Sequence, residues 1–432
     1  MSESSPPVQP DDGGTAGSAT AVATEDAITG APPARGGRGL NWLRGKNAVV
    51  VTALAFVLAL VVGAVLIIVT NTAVINASKY FFQQPSDTFS AAWQAVSSAY
   101  SALFEGAILN PSSLSSGNLT EILAPISQTL ANATPLILVG LSVGLAFRAG
   151  LFNIGGQGQI IIGACFAGYV GFHWHLPVVV HLLVALVAGV VGGAIWGGLA
   201  GWLKAKRGAH EVITTIMLNY IAFYFLVFLL GETWFKRPGS NQAISPLVDS
   251  NAQLPHLLGS SLPVHAGLLL ALGAAAGVSW LLKRSKLGFE LRAVGANQAA
   301  AQTAGMRVQR TYTVVMLIAG GLSGLAGCSQ VLGTNYSITT DVDGGAGFTG
   351  ITVALLGRAN PWGTVLAGVL FGGLTAGGTV MQVQTGTSID LVTVLQAVIV
   401  LFIAAPALVT AVFRLKSTGS SFSQQLAKGW NG

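Results

Sequence analysis

The run at residues 48–70, AVVVTALAFVLALVVGAVLIIVT, contains no charge and no proline. As a helix rising 1.5 Å per residue it is long enough for the roughly 30 Å hydrocarbon core of a bilayer. Lipid offers backbone groups no hydrogen bonds, so such a run must satisfy its own and be helical. Further apolar runs follow at 125–147, 159–172, 178–202, 212–230, 264–282, 312–332, a short one ending at 356, 362–381 and 389–413. The expected fold is an all-α polytopic membrane protein with about ten transmembrane helices. Composition agrees, at 52% hydrophobic and 8% charged residues, where a soluble domain carries about three times that charge. The net charge of +6 gathers at the ends of apolar runs, which is the topological bias of membrane proteins and excludes a nucleic-acid-binding face.

Basic residues set the expected orientation. Arg35, Arg38, Arg44 and Lys46 precede the first run, Lys204, Lys206 and Arg207 end the fourth, and Arg414 and Lys416 follow the last. Short loops rich in Lys and Arg stay in the cytosol, so both termini are expected inside. Residues 1–47, rich in Gly, Ala, Pro, Ser and Thr, read as a disordered cytoplasmic tail without a cleavable signal, 48–416 as the transmembrane domain, and 417–432 as a second cytoplasmic tail. Residues 80–124 mix Trp93, Tyr100 and Phe104 with polar side chains, as expected of an external segment with an interfacial helix. Residues 231–263 read as an external loop. Cys165 and Cys328 fall inside apolar runs and read as small apolar residues.

The second run ends at Arg148, and AFRAGLFNIGGQGQ then interrupts the apolar character. Gly150, Gly155, Gly156 and Gly158 disfavour a continuous helix, and irregular backbone at membrane depth survives only inside protein or along a wet cavity. Asn153, Gln157 and Gln159 in this break, with Asn219 from the fifth run, are candidate substrate-path residues. Alternatively, these amides only satisfy the backbone groups that the break sets free. Gly193, Gly197 and Gly201 carry small-xxx-small spacing, a signature of close helix packing. The turn Gly357-Arg358-Ala359-Asn360 echoes Phe147-Arg148-Ala149-Gly150, which suggests an inverted repeat of two halves.

The loop at residues 283–310, KRSKLGFELRAVGANQAAAQTAGMRVQR, is the longest basic stretch between apolar runs. Within it Asn297 can cap a short helix from Gln298 to Ala304, and Gly305 can close that helix in a left-handed turn. So short a helix is marginal in water and needs a surface, either its own helix ends or a partner. Signs of catalysis are missing at this level. Residues 39–47, GLNWLRGKN, have the wrong spacing for a Walker A loop and no Ser or Thr for magnesium, and HEVIT at 210–214 lacks the second histidine of a zinc-protease helix. His173, His175 and His181 fall near an external end, where a solvated role is expected. Arg148, Glu211, Arg358 and Asp390 lie near run boundaries and form no mid-bilayer relay.

The loop sequence GFELRAVGANQAAAQTAGM resembles the coupling loop of permease subunits in ABC importers of ribose-type sugars, branched-chain amino acids and nucleosides. GLAFRAGLFNIGGQGQIIIGA, residues 144–164, is similar to the signature of nucleoside-type permeases served by a membrane-lipoprotein binding protein, although many of those carry Glu where Gln157 stands here. The resemblance spans about residues 126–413. It implies a non-enzymatic permease of the bacterial cell membrane, carrying nucleosides or, as alternatives, simple sugars or branched-chain amino acids. A secondary transporter is the other class of reading. It also implies that Glu290, Arg292, Gly295, Asn297, Ala304, Gly305 and Met306 couple to ATPase subunits that bind ATP, with no cofactor in this chain. A second permease forming a heterodimer and an external substrate-binding lipoprotein complete the implied assembly.

Overall fold

A computed structural model describes residues 48–405 and residues 408, 409, 412 and 413. The tails expected at 1–47 and 417–432, and the basic residues at 414 and 416, lie outside the described residues. The chain opens with α1 (Ala48–Thr70), α2 (Thr72–Ser78), α3 (Pro85–Ala107) and α4 (Pro111–Ser116). α5 (Leu119–Arg148), α6 (Gly156–His173), α7 (Val178–Arg207), α8 (Glu211–Gly231) and α9 (Gly267–Arg284) follow. α10 (Lys286–Ala296) and α11 (Gln298–Thr303) lead to α12 (Val308–Ser329), which widens into a π-helical turn at Gln330–Asn335. α13 (Ala346–Leu356), α14 (Pro361–Thr385) and α15 (Asp390–Ala404) complete the described chain.

Each expected apolar run contains a helix, and among the described residues seven helices are long and apolar enough to cross a membrane: α1, α5, α7, α8, α9, α12 and α14. Their outer faces are apolar. Val57, Val61, Val65 and Val69 make an exposed stripe on α1, and Ile213, Met217, Tyr220, Tyr224 and Phe228 another on α8. Water would not tolerate that much bare apolar surface, whereas lipid does. The chain is an all-α, multi-pass membrane protein.

Between helices in lipid there is little hydrophobic driving force, so close contact has to come from shape. The predicted small-residue spacing on α7 serves this purpose against α12. A Cβ on Gly193 would stand 2.6 Å from Gly324 Cα, and one on Gly197 2.8 Å from Gly320 Cα. Gly163 brings α6 to the same place, where its Cβ would stand 2.5 Å from Gly324 Cα. Three backbones thus meet along one seam, with Cys165 and Cys328 buried as free thiols beside it.

Several elements differ from the sequence reading. α3 does not stand apart: Ala95, Ala99 and Ala102 are buried with α1 and α14 side chains, and Tyr100 donates to the Leu60 carbonyl halfway along α1. His181 is buried, its Nε2 3.0 Å from the Val170 carbonyl oxygen, while His173 and His175 are exposed. The tenth run is interrupted after Ala404, where α15 ends, and is helical again at Leu408 and Val409; the proline at 406 disfavours a helical residue before it. The Arg-Ala echo joins two neighbouring turns, since Arg148 Nε donates to the Ala359 carbonyl at 3.1 Å. Val139 lies against Gly350, Gly140 against Val353 and Gly144 against Ala359, so α5 and α13 run parallel. The echo therefore marks two like-directed helix ends and does not itself relate the halves by inversion.

Candidate functional site

Two broken helices meet inside the bundle. α5 ends at Arg148, where Gly150 adopts φ +73° and Leu151 N–H donates to the Ala146 carbonyl at 3.0 Å, closing the helix in a left-handed turn. The chain then doubles back along α5, and α6 begins at Gly156 beside Val139. On the far side of the molecule's sequence, the loop after the π turn descends until α13 begins at Ala346. Gly347 sits against the Cα of Gln157. With 11 residues, α13 rises only about 16 Å, half of a bilayer core. The N-terminal ends of α6 and α13 therefore abut at depth, and both bring N–H groups that have no partner within their own helix, with partial positive charge.

Local sequence explains how the first break is held. Asn153 is fully buried; its Oδ1 accepts from Gly155 N–H at 3.0 Å and from Gln159 Nε2 at 3.1 Å, and its Nδ2 donates to Gln159 Oε1 at 3.1 Å. Asn219, from the middle of α8, accepts from Gly158 N–H at 2.8 Å and donates to the Ile154 carbonyl at 2.9 Å. The structure thus brings Asn153, Gln159 and Asn219 together, and the hydrogen bonds they make go to each other, to Ser142 and to the freed backbone of 154–158. Gln157 is placed differently. It is half-buried and lies with Asp343, a 4% exposed carboxylate that also faces the Gly347 N–H and has an Oδ2 without a hydrogen-bond partner. Sequence reading passes over Asp343, because it lies in a glycine-rich bend at 341–350 between two apolar runs. The signal available was that glycine-rich turn followed by an unusually short apolar run.

The basic end of the bundle carries the loop. Ser285 Oγ accepts from Gly288 N–H at 2.8 Å and so caps α10, a helix absent from the sequence reading. Asn297 Oδ1 accepts from Ala300 N–H at 3.0 Å and caps α11 as the sequence implies, with Gly305 at φ +81° and Met306 N–H bonded to the Ala301 carbonyl at 3.0 Å. Gln298, Ala299, Ala300, Gln302, Ala304 and Gly305 are exposed, while Met306 is half-buried. Glu290 lies 4.0 Å from Lys286, and Arg292 Nε donates to the Gly288 carbonyl at 3.1 Å. A cleft of about 710 Å³ opens beside α11, lined by Lys204, Lys206, Gln302, Arg307 and Arg310 among others.

Loop and break touch each other. Leu291 and Val294 of α10 are buried in one cluster with Leu145, Ala149 and Leu151. Gly295 lies directly on the Arg148-Ala149 backbone, and a Cβ there would stand 2.9 Å from the Ala149 carbonyl carbon. α10 thus rests directly on the turn from which the broken segment starts, so that a displacement of one would press on the other.

A helical bundle with re-entrant breaks at depth and an exposed basic loop seated on one of them defines a membrane transport protein. Comparison with protein families gives the particular one: residues 126–404 match the model of the branched-chain amino acid transport system permease component, and the chain belongs to that family. It is 37% identical over 328 residues to the guanosine ABC transporter permease protein NupP of Bacillus subtilis, covering 76% of this chain and 91% of the relative. The glucose ABC transporter permease protein TsgB13 of Haloferax volcanii is 35% identical over 64% of this chain and 75% of its own. The nucleoside ABC transporter permease protein NupB of Lactococcus lactis is 34% identical over 65% and 79%. No solved structure matches the chain.

Proposed function

We propose that this permease imports nucleosides across the cell membrane as one of two different permease subunits, driven by ATPase subunits that bind ATP and supplied by an external binding lipoprotein. The observation that carries the reading is the 37% identity over nine-tenths of a guanosine permease, in a chain whose path-side break is lined by neutral amides and one carboxylate. Nucleosides present hydroxyls, ring nitrogens and exocyclic groups with no required charge, which such side chains match. The glucose permease relative favours sugars as the second reading. NupP and NupQ are both guanosine permease proteins of one Bacillus subtilis strain, which supports an unlike pair.

In this reading the basic end faces the cytosol, α11 and the exposed part of α10 dock on the ATPase, and Glu290, Arg292, Gly295, Asn297, Ala304, Gly305 and Met306 shape or present that surface. Asn153, Gln159 and Asn219 hold the break open at a fixed geometry, and Gln157 faces the path. A strain lacking the gene should lose uptake of labelled nucleosides and keep uptake of glucose and leucine. Loss of glucose uptake alone moves the assignment to sugars. Labelling in a Cys165→Ser, Cys328→Ser background tests the orientation. An impermeant reagent on intact cells should modify Gln242→Cys and spare Ser285→Cys, and the reverse pattern inverts the topology.

A further inference from the structure

We propose that Asp343 is a substrate-contacting, specificity-determining residue, whose carboxylate accepts a pair of adjacent hydrogen-bond donors from the ligand beside Gln157. The assignment rests on the nucleoside reading above.

Asp343 is 4% exposed, and its Oδ2 has no hydrogen-bond partner. It stands where the N-terminal ends of two half-helices abut, α6 through Gln157 and α13 through Gly347. An ionisable side chain at such depth is costly and is retained where it serves a path or a ligand. The two helix N-termini offset part of that cost, because their partial positive charge favours an anion. Capping does not explain the group, since Gly345 holds the cap position of α13 and no side chain caps that helix. The Gly347 N–H and the Gln157 amide face the carboxylate, and Oδ2 still lacks a donor. A buried acceptor without a donor is unfavourable until something supplies one.

The chemistry of what supplies it follows from the acceptor. A carboxylate, when ionised, has no proton to give and accepts two parallel donors at once. A neutral ligand meets this with either of two groups, the ribose cis-diol or the N–H edge of a purine such as guanine. Gln157 adds a side chain that both donates and accepts, and its half-buried position leaves it reachable from the same side. The backbone around the pair is held by groups that take no part in it, since Asn153 and Asn219 fix residues 154–158. The site is thus rigid where Gln157 begins and carries its one unmet acceptor at Asp343.

Asp343→Asn separates the two roles. Asparagine keeps the size of aspartate and one acceptor oxygen for the Gly347 N–H, while the other oxygen is replaced by an amide N–H that opposes the ligand's donors. The complete transporter, reconstituted in liposomes with its binding protein, is assayed for uptake of guanosine, 2′,3′-dideoxyguanosine and purine riboside, the last two lacking the diol and the N–H edge respectively. The variant-to-wild-type ratio for each ligand cancels the binding protein's own preference. Guanosine uptake should fall by about tenfold or more, as expected for a lost charge-assisted hydrogen bond, while one analogue keeps its wild-type rate. The analogue that is insensitive lacks the donor pair that Asp343 reads. Equal losses for all three ligands, or no loss for any, overturn the assignment. A wild-type transporter that carries none of the three overturns the nucleoside reading as well, which distinguishes the two failures. Should Asp343→Asn not accumulate in the membrane, Asp343→Ser, whose hydroxyl keeps an acceptor for the Gly347 N–H, carries the same comparison.

Discussion

Gly295→Ala places one methyl group at the contact between α10 and the broken helix. Its Cβ would stand 2.9 Å from the Ala149 carbonyl carbon and 3.0 Å from that of Arg148, where ordinary contact begins at 3.4 Å. The neighbours are backbone on both sides, so relief requires α10 to move away by roughly half an ångström or more. Overpacking of this kind costs about 1–3 kcal/mol. Alanine returns up to about 1 kcal/mol of helix propensity; with clashes against backbone on both sides the upper end of the overpacking range applies, leaving a net destabilisation of up to roughly 2 kcal/mol. Gly277→Ala on α9 is the matched control, because no heavy atom lies within 4 Å of its Cβ and only the propensity gain applies. The assays are the melting temperature of the purified complex and the ratio of ATP hydrolysed to nucleoside carried in liposomes. Gly295→Ala should melt below wild type and hydrolyse more ATP per nucleoside, while Gly277→Ala matches wild type in that ratio and melts no lower. Wild-type melting and a wild-type ratio in Gly295→Ala would refute the claim that α10 drives the break through this contact.

Gly305 tests the other end of the loop by strain alone: it has φ +81° and nothing within 4 Å of its Cβ, so Gly305→Val costs about 1–2 kcal/mol locally and should reduce uptake while the protein still inserts. Gly193→Ala opens the α7–α12 seam, with a Cβ 2.6 Å from Gly324 Cα, and should reduce the amount of folded protein, whereas unchanged thermal stability would show that the seam has slack. Burial and the nearby His256 push the His265 imidazole down to about 4. The folded protein then binds fewer protons than the unfolded chain between about pH 6.5 and 4, so stability is full above that window and falls as pH drops through it, by roughly 2 kcal/mol at pH 5. Melting curves at pH 7.5 and 5 should show a smaller acid loss in His265→Asn than in wild type, and equal losses would remove His265 as the cause.

Much of the loop was legible because its signals are short-range. Asn297 three residues before Ala300, and Gly305 after an alanine-rich stretch, dictate a cap and a left-handed turn whatever surrounds them. α10 was legible in principle, since Ser285 caps it and Leu287, Leu291 and Val294 fall on one face. Its two glycines and three charges mask that periodicity. Depth was the property that the sequence concealed. Asp343 lies in a polar, glycine-rich turn of the kind found at surfaces, and only the descent of that turn to Gln157 buries it. The role of the amides was open for the same reason: Asn219 is far in sequence from Gly158 and Ile154, and its bonds to them are a consequence of packing. The Arg-Ala echo pointed to a real contact but to the wrong relation, because residue identity carries no helix direction.

ATP-driven guanosine uptake by the purified complex decides most directly whether this chain is the permease of a nucleoside importer. Liposomes holding the two permeases and the ATPases are loaded with ATP and magnesium, and binding protein with labelled guanosine is added outside. Accumulation should require ATP inside and binding protein outside, be unaffected by collapsing the proton and sodium gradients, and stop when ATP is replaced by a non-hydrolysable analogue. Uptake that persists without ATP and follows an ion gradient would contradict the account and make the chain a secondary transporter.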